Sequence, residues 1–434
     1  MSSLTPAVAA GLDGPPWLRA FRAAAAAAFA ETPLPVADEE IWRYSRIGQL
    51  DLQRFGLAGE PEVVAAAHLS TTVAEPAGIV VFNNGRLTSC HLDDTLANKG
   101  VRLGPIGDFD DGAAQLGRVL GRSEDALVLA NDAFSATPML LSVPRGVHIE
   151  RPVLVVDWTS AEGGAVFTRL VVRAEAGSEV TVVHQQRSDQ QHCWLAPVVE
   201  LSAANDARLR YFIVQDLGAT AWQTATVVAE ADQQATVEVA AAAFGADYGR
   251  LRIDCRMIGR GATAKLAALY FADGDQMLDF RTLQDHRAPD CTSDLMFKGV
   301  VDDRSHSVYS GMIRVRPEAR GTNAFQTNRN IKLSDEAWAE SVPNLRIENN
   351  DVRCSHASTV GPIDVDQRFY LESRGVPTRR AEQLVVSGFF DEVAARLPDD
   401  ILRAQVAARI EAKLGAGEPG ADQPGAAQTD PTAS

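Results

Sequence analysis

From about Gly78 to Gly361 the chain is a succession of short runs in which apolar and polar residues alternate, separated by Gly, Asn, Asp and Pro. Alternation with period two puts successive side chains on opposite faces of an extended segment, so each run predicts a strand. The runs recur at a nearly fixed step. Small residues open them at Ser178, Ala207, Ala235 and Ala262, separated by 29, 28 and 27 residues, and the same step carries on to Cys291 and then Ala319. A second series, Val199, Val227, Ile253, Phe280 and Val308, threads between them at steps of 28, 26, 27 and 28. Two strands per unit, with too few residues between units for a crossover helix, predict a solenoid whose coils bury their faces against one another. A parallel β-helix meets this description. An antiparallel sandwich stays open on spacing alone, because sandwiches also place a strand every 8–12 residues or about that. The constancy of the step favours the solenoid.

The flanks read differently. Residues 15–32 predict an amphipathic helix opened by Pro16, with Trp17, Leu18, Phe21 and Phe29 as packing positions and Pro33 and Pro35 beyond its end. A second short helix is expected at Glu39–Ser45, seating Trp42 on the body, and residues 108–136 carry an Ala/Leu pattern that predicts helix or irregular structure. After Gly361 periodicity turns helical again. Asp364 or Asp366 is placed to cap a helix carrying Phe369 and Tyr370, Thr378 opens another that closes at Gly388, and Asp399 or Asp400 starts a last one through Leu402, Val406, Ile410 and Leu414. The expected organisation is a helical region over 1–77, a β core over 78–361, a helical region over 362–415 and a tail over 416–434. That tail holds only Gly, Ala, Pro, Glu, Asp, Gln, Thr and Ser, a composition that predicts disorder.

Charge narrows the class. The 41 Lys and Arg against 57 Asp and Glu leave a formal charge of −16, a field that repels phosphate backbones and anionic lipid, so no nucleic acid and no membrane partner is expected. No apolar stretch approaches the roughly 20 residues a membrane span needs. Cys90, Cys193, Cys255, Cys291 and Cys354 are odd in number and form no CxxC pair, which argues for a reducing, cytoplasmic compartment. Cys90-His91, Cys193 and Cys255 sit in or near apolar runs and read as core; His286 and Cys291 read as a turn-capping histidine beside a core thiol. No Walker phosphate loop, G-x-S-x-G elbow or H-E-x-x-H occurs, so ATP hydrolysis and the common hydrolase chemistries have no sequence support.

One stretch carries chemistry. Val352, Cys354, His356 and Ser358 alternate with Arg353, Ser355, Ala357 and Thr359, so Cys354 and His356 share a strand face. A thiol and an imidazole on one face are ligand types for iron or zinc. Their Cα atoms are about 6.5–7 Å apart along a strand, so sharing one iron would strain their rotamers, and a site completed by a second subunit is the easier geometry. On residue types alone the simpler reading, a buried thiol beside a hydrogen-bonded imidazole, is preferred.

The surrounding residues shift that balance. Pro343-Asn344-Leu345, Asp351-Val352-x-Cys354-Ser355-His356, Thr359-Val360-Gly361, Phe369-Tyr370-Leu371-x-Ser373-Arg374-Gly375 and Gly388-Phe389 together resemble the SufB/SufD family of iron-sulfur cluster assembly scaffolds, the SufD branch in particular. The resemblance extends through His286-x-Ala288-Pro289-x-Cys291-x-Ser293, Lys298-Gly299-Val300, Gly311-x-Ile313-x-Val315 and Gln326-x-Asn328-Arg329-Asn330, and more diffusely to Glu40-x-Trp42-x-Tyr44. SufB proteins carry a cysteine where Leu371 stands and lack the Cys-x-His; Ala357 replaces a usual glycine. The resemblance implies a right-handed parallel β-helix, mainly β, with small α-helical terminal regions, and a non-catalytic subunit that is not itself an enzyme. It implies a SufB paralogue as heterodimer partner, with His356 and, less directly, Cys354 at the interface, and a transient iron-sulfur cluster shared with that subunit rather than held tightly by the lone chain. It further implies docking of SufC, an ABC-type ATPase, on the C-terminal helices through Phe369, Tyr370, Leu371, Arg374, Phe389 and Phe390. An isolated chain is expected to pair with a second copy through its uncovered edge. Two other readings remain at this point: a β-helix polysaccharide lyase or hydrolase, and a SufB-type scaffold that builds clusters unaided.

Overall fold

One residue per coil sets the period. At Gly177, Asp206, Gln234, Gly261, Asp290 and Gly321 the backbone enters the left-handed region, with φ of 66, 61, 55, 71, 60 and 70°. This region is open to glycine and tolerated by short polar residues, which turns the chain sharply. Each of the six donates its N–H to a carbonyl one coil further on, from Gly177 to Asn205 through Gly321 to Asp351. The residue that follows is buried in every case: Ser178, Ala207, Ala235, Ala262, Cys291 and Thr322. That burial is why a small side chain recurs there. The extrapolated position Ala319 is corrected to Thr322, because the coil between Asp290 and Gly321 is longer than those before it.

The computed structural model describes residues 3–59, 73, 75–121, 123, 125–397 and 400–415. Successive strands alternate between two sheets of 10 and 12 strands. Thr236–Ala243, Thr263–Ala272, Thr292–Val301, Thr322–Lys332 and Val352–Pro362 lie side by side in the first; Trp222–Ala231, Tyr248–Met257, Met277–His286, His306–Val315 and Trp338–Ile347 in the second. Neighbours run parallel in continuous register, so one column reads Leu209, Val237, Ala264, Ser293, Ala324, Cys354. The chain is therefore a parallel β-solenoid, and the antiparallel sandwich is excluded. At the opposite end antiparallel strands, Arg86–Leu92 and Arg102–Pro105, close the two sheets. Cys90 and His91 lie exposed on that closing strand, not in the core as expected, because no further strand among the described residues covers it.

Three apolar layers hold the body. The lumen between the sheets is filled by residues such as Val182, Leu209, Val239, Ile253, Leu266 and Phe280. Outside the 12-stranded sheet, Trp42, Trp222, Tyr248 and Val308 form a second layer with the N-terminal helix Pro16–Glu31 and helix Ala126–Phe134 against it. The expected short helix appears as a single 3-10 turn, Glu40–Trp42. Arg250 stacks over the Trp42 ring at 3.5 Å and donates to the Ile41 carbonyl at 3.1 Å, while Arg281 donates to the Arg43 carbonyl at 2.7 Å. Outside the 10-stranded sheet, Phe212, Leu269, Phe271 and Val300 meet Val386, Phe390, Val406 and Ile410 of the C-terminal helices.

Those helices are Val365–Ser373, Thr378–Ala394 and Asp400–Gly415. Asp364 caps the first, its carboxylate accepting from the backbone N–H groups of Asp366 and Gln367 at 2.9 and 3.1 Å. The second does not stop at Gly388 but runs on to Ala394, with Pro377 rather than Thr378 preceding it. A glycine inside a helix costs only about 1 kcal/mol, and burial of Phe390 and Val393 on the sheet outweighs it. The tail expected to be disordered, 416–434, lies outside the described residues.

Candidate functional site

The solenoid ends at Val352–Pro362 and Trp338–Ile347, the outer strands of the two sheets at this end. On every inner coil a lumen-facing side chain has a neighbour above and below; here, among the described residues, no strand supplies the upper neighbour. Register fixes which residues face the lumen. Cys354 stands over Ala324, His356 over Gln326 and Ser358 over Asn328, and all three residues beneath are buried. The predicted shared face is thus present, and it is the inner face of a terminal rung. His356 is exposed and Cys354 half-buried, packed against the last small apolar cluster, Ile313, Val315, Ala319 and Ala324. Burial pushes the Cys354 thiol above its ordinary value, partly offset by a hydrogen bond from the Ala324 backbone. Metal binding there would have to displace a proton.

The lumen under this rung carries a polar network, as the middle coils also do around His184, Tyr211, Gln186 and Gln223. His286 and Gln284 both reach the Ser293 hydroxyl, at 2.8 and 2.7 Å. Tyr270 donates to Asn330 at 2.6 Å and Asn328 donates to Tyr270 at 3.2 Å. Glycine makes the room: a Cβ on Gly299 would lie 2.0 Å from the Tyr270 ring, and one on Gly311 would lie 2.2 Å from the Tyr309 hydroxyl and 2.5 Å from the Gln326 amide nitrogen. His286 is a lumen residue at the end of strand Met277–His286 rather than a turn cap. Gln284, Ser293, Gln326, Asn328 and Asn330 were not anticipated as site neighbours from sequence. Their signal was the polar alternation Gln326, Asn328, Asn330, which reads as an outer face until the register is known.

Strand Val352–Pro362 passes through Ile363 and Asp364 directly into helix Val365–Ser373, so the terminal rung and the first C-terminal helix form one continuous segment. A groove of about 900 Å³ opens beside it, lined by Ile331, Pro362, Tyr370, Leu371, Val385 and Phe389 among others. Phe369 and Tyr370 are 68% and 58% exposed. Arg374 lies over the Tyr370 ring at 5.2 Å, and Leu371 and Phe389 are half-buried at the groove wall. Phe390 departs from the expected exposed set. At 1% exposure it is an anchor of the helices on the sheet, because in a continuous helix it shares a face with Val386 and Val393. Among the described residues no three His, Cys, Asp or Glu side chains converge as a metal site, and no helix is long and apolar enough to cross a membrane.

What these features define is a parallel β-solenoid whose terminal rung, carrying Cys354 and His356 on its inner face, leads into an apolar helical groove. Residues 157–389 match the model of the SUF system FeS cluster assembly SufBD core domain. The chain is 32% identical over 391 residues to an iron-sulfur cluster assembly SufBD family protein of Mycobacterium tuberculosis, covering 88% of this chain and 89% of that relative. It is 26% identical to the iron-sulfur cluster assembly protein SufD of Escherichia coli, over 89% of this chain and 90% of the relative, and 28% identical to SufD of Bacillus subtilis over 63% of each. The chain belongs to the SufB/SufD family of iron-sulfur cluster assembly proteins. The polysaccharide reading finds no support, since the family match covers the coils in which a glycan groove would have to lie.

Proposed function

We propose that this chain is a non-catalytic, cytoplasmic scaffold subunit of the SUF assembly apparatus that pairs with a SufB-type paralogue across the open rung and docks a SufC-type ATPase on its C-terminal helices. The observation that carries this reading is the placement of Cys354 and His356 side by side on the lumen face of the terminal strand, with no strand above them among the described residues. Ligands from this chain alone leave an iron with open positions, so a nascent cluster, here a cargo rather than a resident group, would be completed by side chains of the facing subunit. The strand edges beside them offer unpaired backbone groups that favour pairing with another chain, and an isolated chain would use a second copy. Direct continuity from the rung into helix Val365–Ser373 gives the ATPase a short mechanical route to the seam, with Phe369, Tyr370, Leu371, Arg374 and Phe389 as the contact surface.

The test is co-expression with the SufB-type and ATPase partners and measurement of iron and acid-labile sulfide in the isolated complex. His356→Ala is expected to remove most of both while leaving the complex assembled, and Cys354→Ser to lower them. Because His356 is exposed, neither its removal nor the loss of a half-buried thiol should cost more than about 1 kcal/mol of stability. Undiminished iron and sulfide in the His356→Ala complex would defeat the assignment.

A further inference from the structure

Among the described residues, Gln326 is the one lumen residue beneath the open rung whose amide has no hydrogen-bond partner at either polar atom. It is 1% exposed, yet neither its Oε1 nor its Nε2 has a hydrogen-bond partner. Buried amides are satisfied in nearly all folded proteins, so the exception calls for a partner, whether a neighbouring side chain or a water. Its neighbours Asn328 and Asn330, on the same face of the same strand, are bonded to Tyr270 and to each other. Gln326 has been given space, since any side chain at Gly311 would collide with its amide nitrogen at 2.5 Å. Directly above it in the parallel register stands His356.

We propose that Gln326 is a positioning residue for His356, its Oε1 accepting the N–H of the imidazole nitrogen that faces the body and so leaving the other nitrogen's lone pair directed outward to metal. This rests on the reading of His356 as a ligand at the seam. Neighbouring rungs are about 4.8 Å apart, so a same-face side chain one strand away is within reach after a rotation of the ring. Metal-bound histidines characteristically give their second ring nitrogen to a carbonyl or carboxylate, which fixes the tautomer and aims the free lone pair. The amide oxygen of Gln326 is the buried acceptor in place for that role. The inverse bond, from Nε2 to an imidazole nitrogen, would consume the lone pair that the metal needs.

The experiment uses the full chain without partners or iron, with ring-nitrogen-labelled histidine, at a pH where imidazoles are neutral. Long-range nitrogen–proton spectra distinguish a single tautomer from an averaging mixture, and the His356 signals are assigned by their loss in His356→Asn. The expectation is one tautomer for His356 in the native chain, its collapse to the averaged pattern in Gln326→Met, and its retention in Gln326→Glu, which keeps an acceptor. An averaged His356 in the native chain overturns the proposal before any variant is made. An unchanged single tautomer in Gln326→Met also overturns it, and would mean that water or another group satisfies the ring. The readout contains no cluster, so failure here leaves the seam reading intact, whereas undiminished iron in His356→Ala removes the seam reading whatever the tautomer shows.

Discussion

Phe369 and Phe390 lie twenty-one residues apart on the C-terminal helices and should fail in opposite ways when truncated. Phe390 is 1% exposed and packs in the layer that joins Thr378–Ala394 to the outer face of the 10-stranded sheet, beside Val300, Val386 and Val393. Its neighbourhood is further tied by Lys298, which donates to the Phe389 carbonyl at 2.8 Å and pairs with Glu392 at 2.8 Å. Phe390→Ala removes a fully buried ring, a change that costs about 3–5 kcal/mol in protein cores. No strand pairing runs through Phe390, so the loss should fall on attachment of the helices and not on the solenoid. At about 1.4 kcal/mol per decade, amide exchange protection in Val365–Ser373 and Thr378–Ala394 should drop by roughly two to nearly four orders of magnitude, while the strands keep theirs. Phe369, 68% exposed, has little to lose, and Phe369→Ala should stay within about 0.5 kcal/mol of the parent. On the docking surface proposed above, it should instead weaken retention of the proposed ATPase partner, together with Tyr370→Ala. Hydrogen exchange read by mass spectrometry and co-purification of the complex measure the two effects separately. Protection within a few-fold of the parent in Phe390→Ala would refute the anchoring role, and full retention of the ATPase by the Phe369→Ala, Tyr370→Ala chain would refute the docking surface.

Glu200→Ala should be among the most destabilising single changes, about 3–5 kcal/mol by chemical denaturation, because Glu200 accepts from Arg169 at 2.6 Å and from the backbone N–H groups of Gly117, Val119 and Leu120 at 2.8, 2.9 and 2.9 Å in a fully buried setting; a cost under about 1 kcal/mol would contradict that network. Burial holds the His286 imidazole down at about 4 against an ordinary 6.5. Since the unfolded chain takes up this proton first, its contribution is complete above about pH 6.5 and is lost as pH falls toward 4, by roughly 3 kcal/mol in all. Urea midpoints across that window should therefore fall less steeply in His286→Gln than in the parent, and equal slopes would remove His286 as the source. Gly299→Ala, whose Cβ would sit 2.0 Å from the Tyr270 ring, should lower the melting temperature through an overpacking cost of about 1–3 kcal/mol. Combining it with Tyr270→Leu should recover part of the loss, and strict additivity would argue against a shared space.

The coil period was legible because burial after the turn constrains one residue strongly: only Ser, Ala, Cys or Thr occupies the positions from Ser178 to Thr322. The turn itself left no glycine signature, since three of its six left-handed residues are Asp206, Gln234 and Asp290. The shared face of Cys354 and His356 was legible for the same reason of period: two-residue alternation placed Cys354 with His356, and parallel register then copied that face from Ala324 and Gln326 below. Phe390 was misread where the wrong period was applied. Ending the helix at Gly388 made Phe389-Phe390 an exposed aromatic pair, although Val386, Phe390, Val393 and Leu397 already recur at helical spacing and all four are buried. Gln326 could not have been found this way at all. Polar alternation reads as a solvent face, and only the coordinates show that here it points inward, at a rung with no lid. A fold that repeats itself makes the sequence a reliable guide to everything except its own interruption. The terminal coil is where the repeat stops and where both polar atoms of the buried Gln326 amide have no hydrogen-bond partner, and so it is where the proposed site has to be tested.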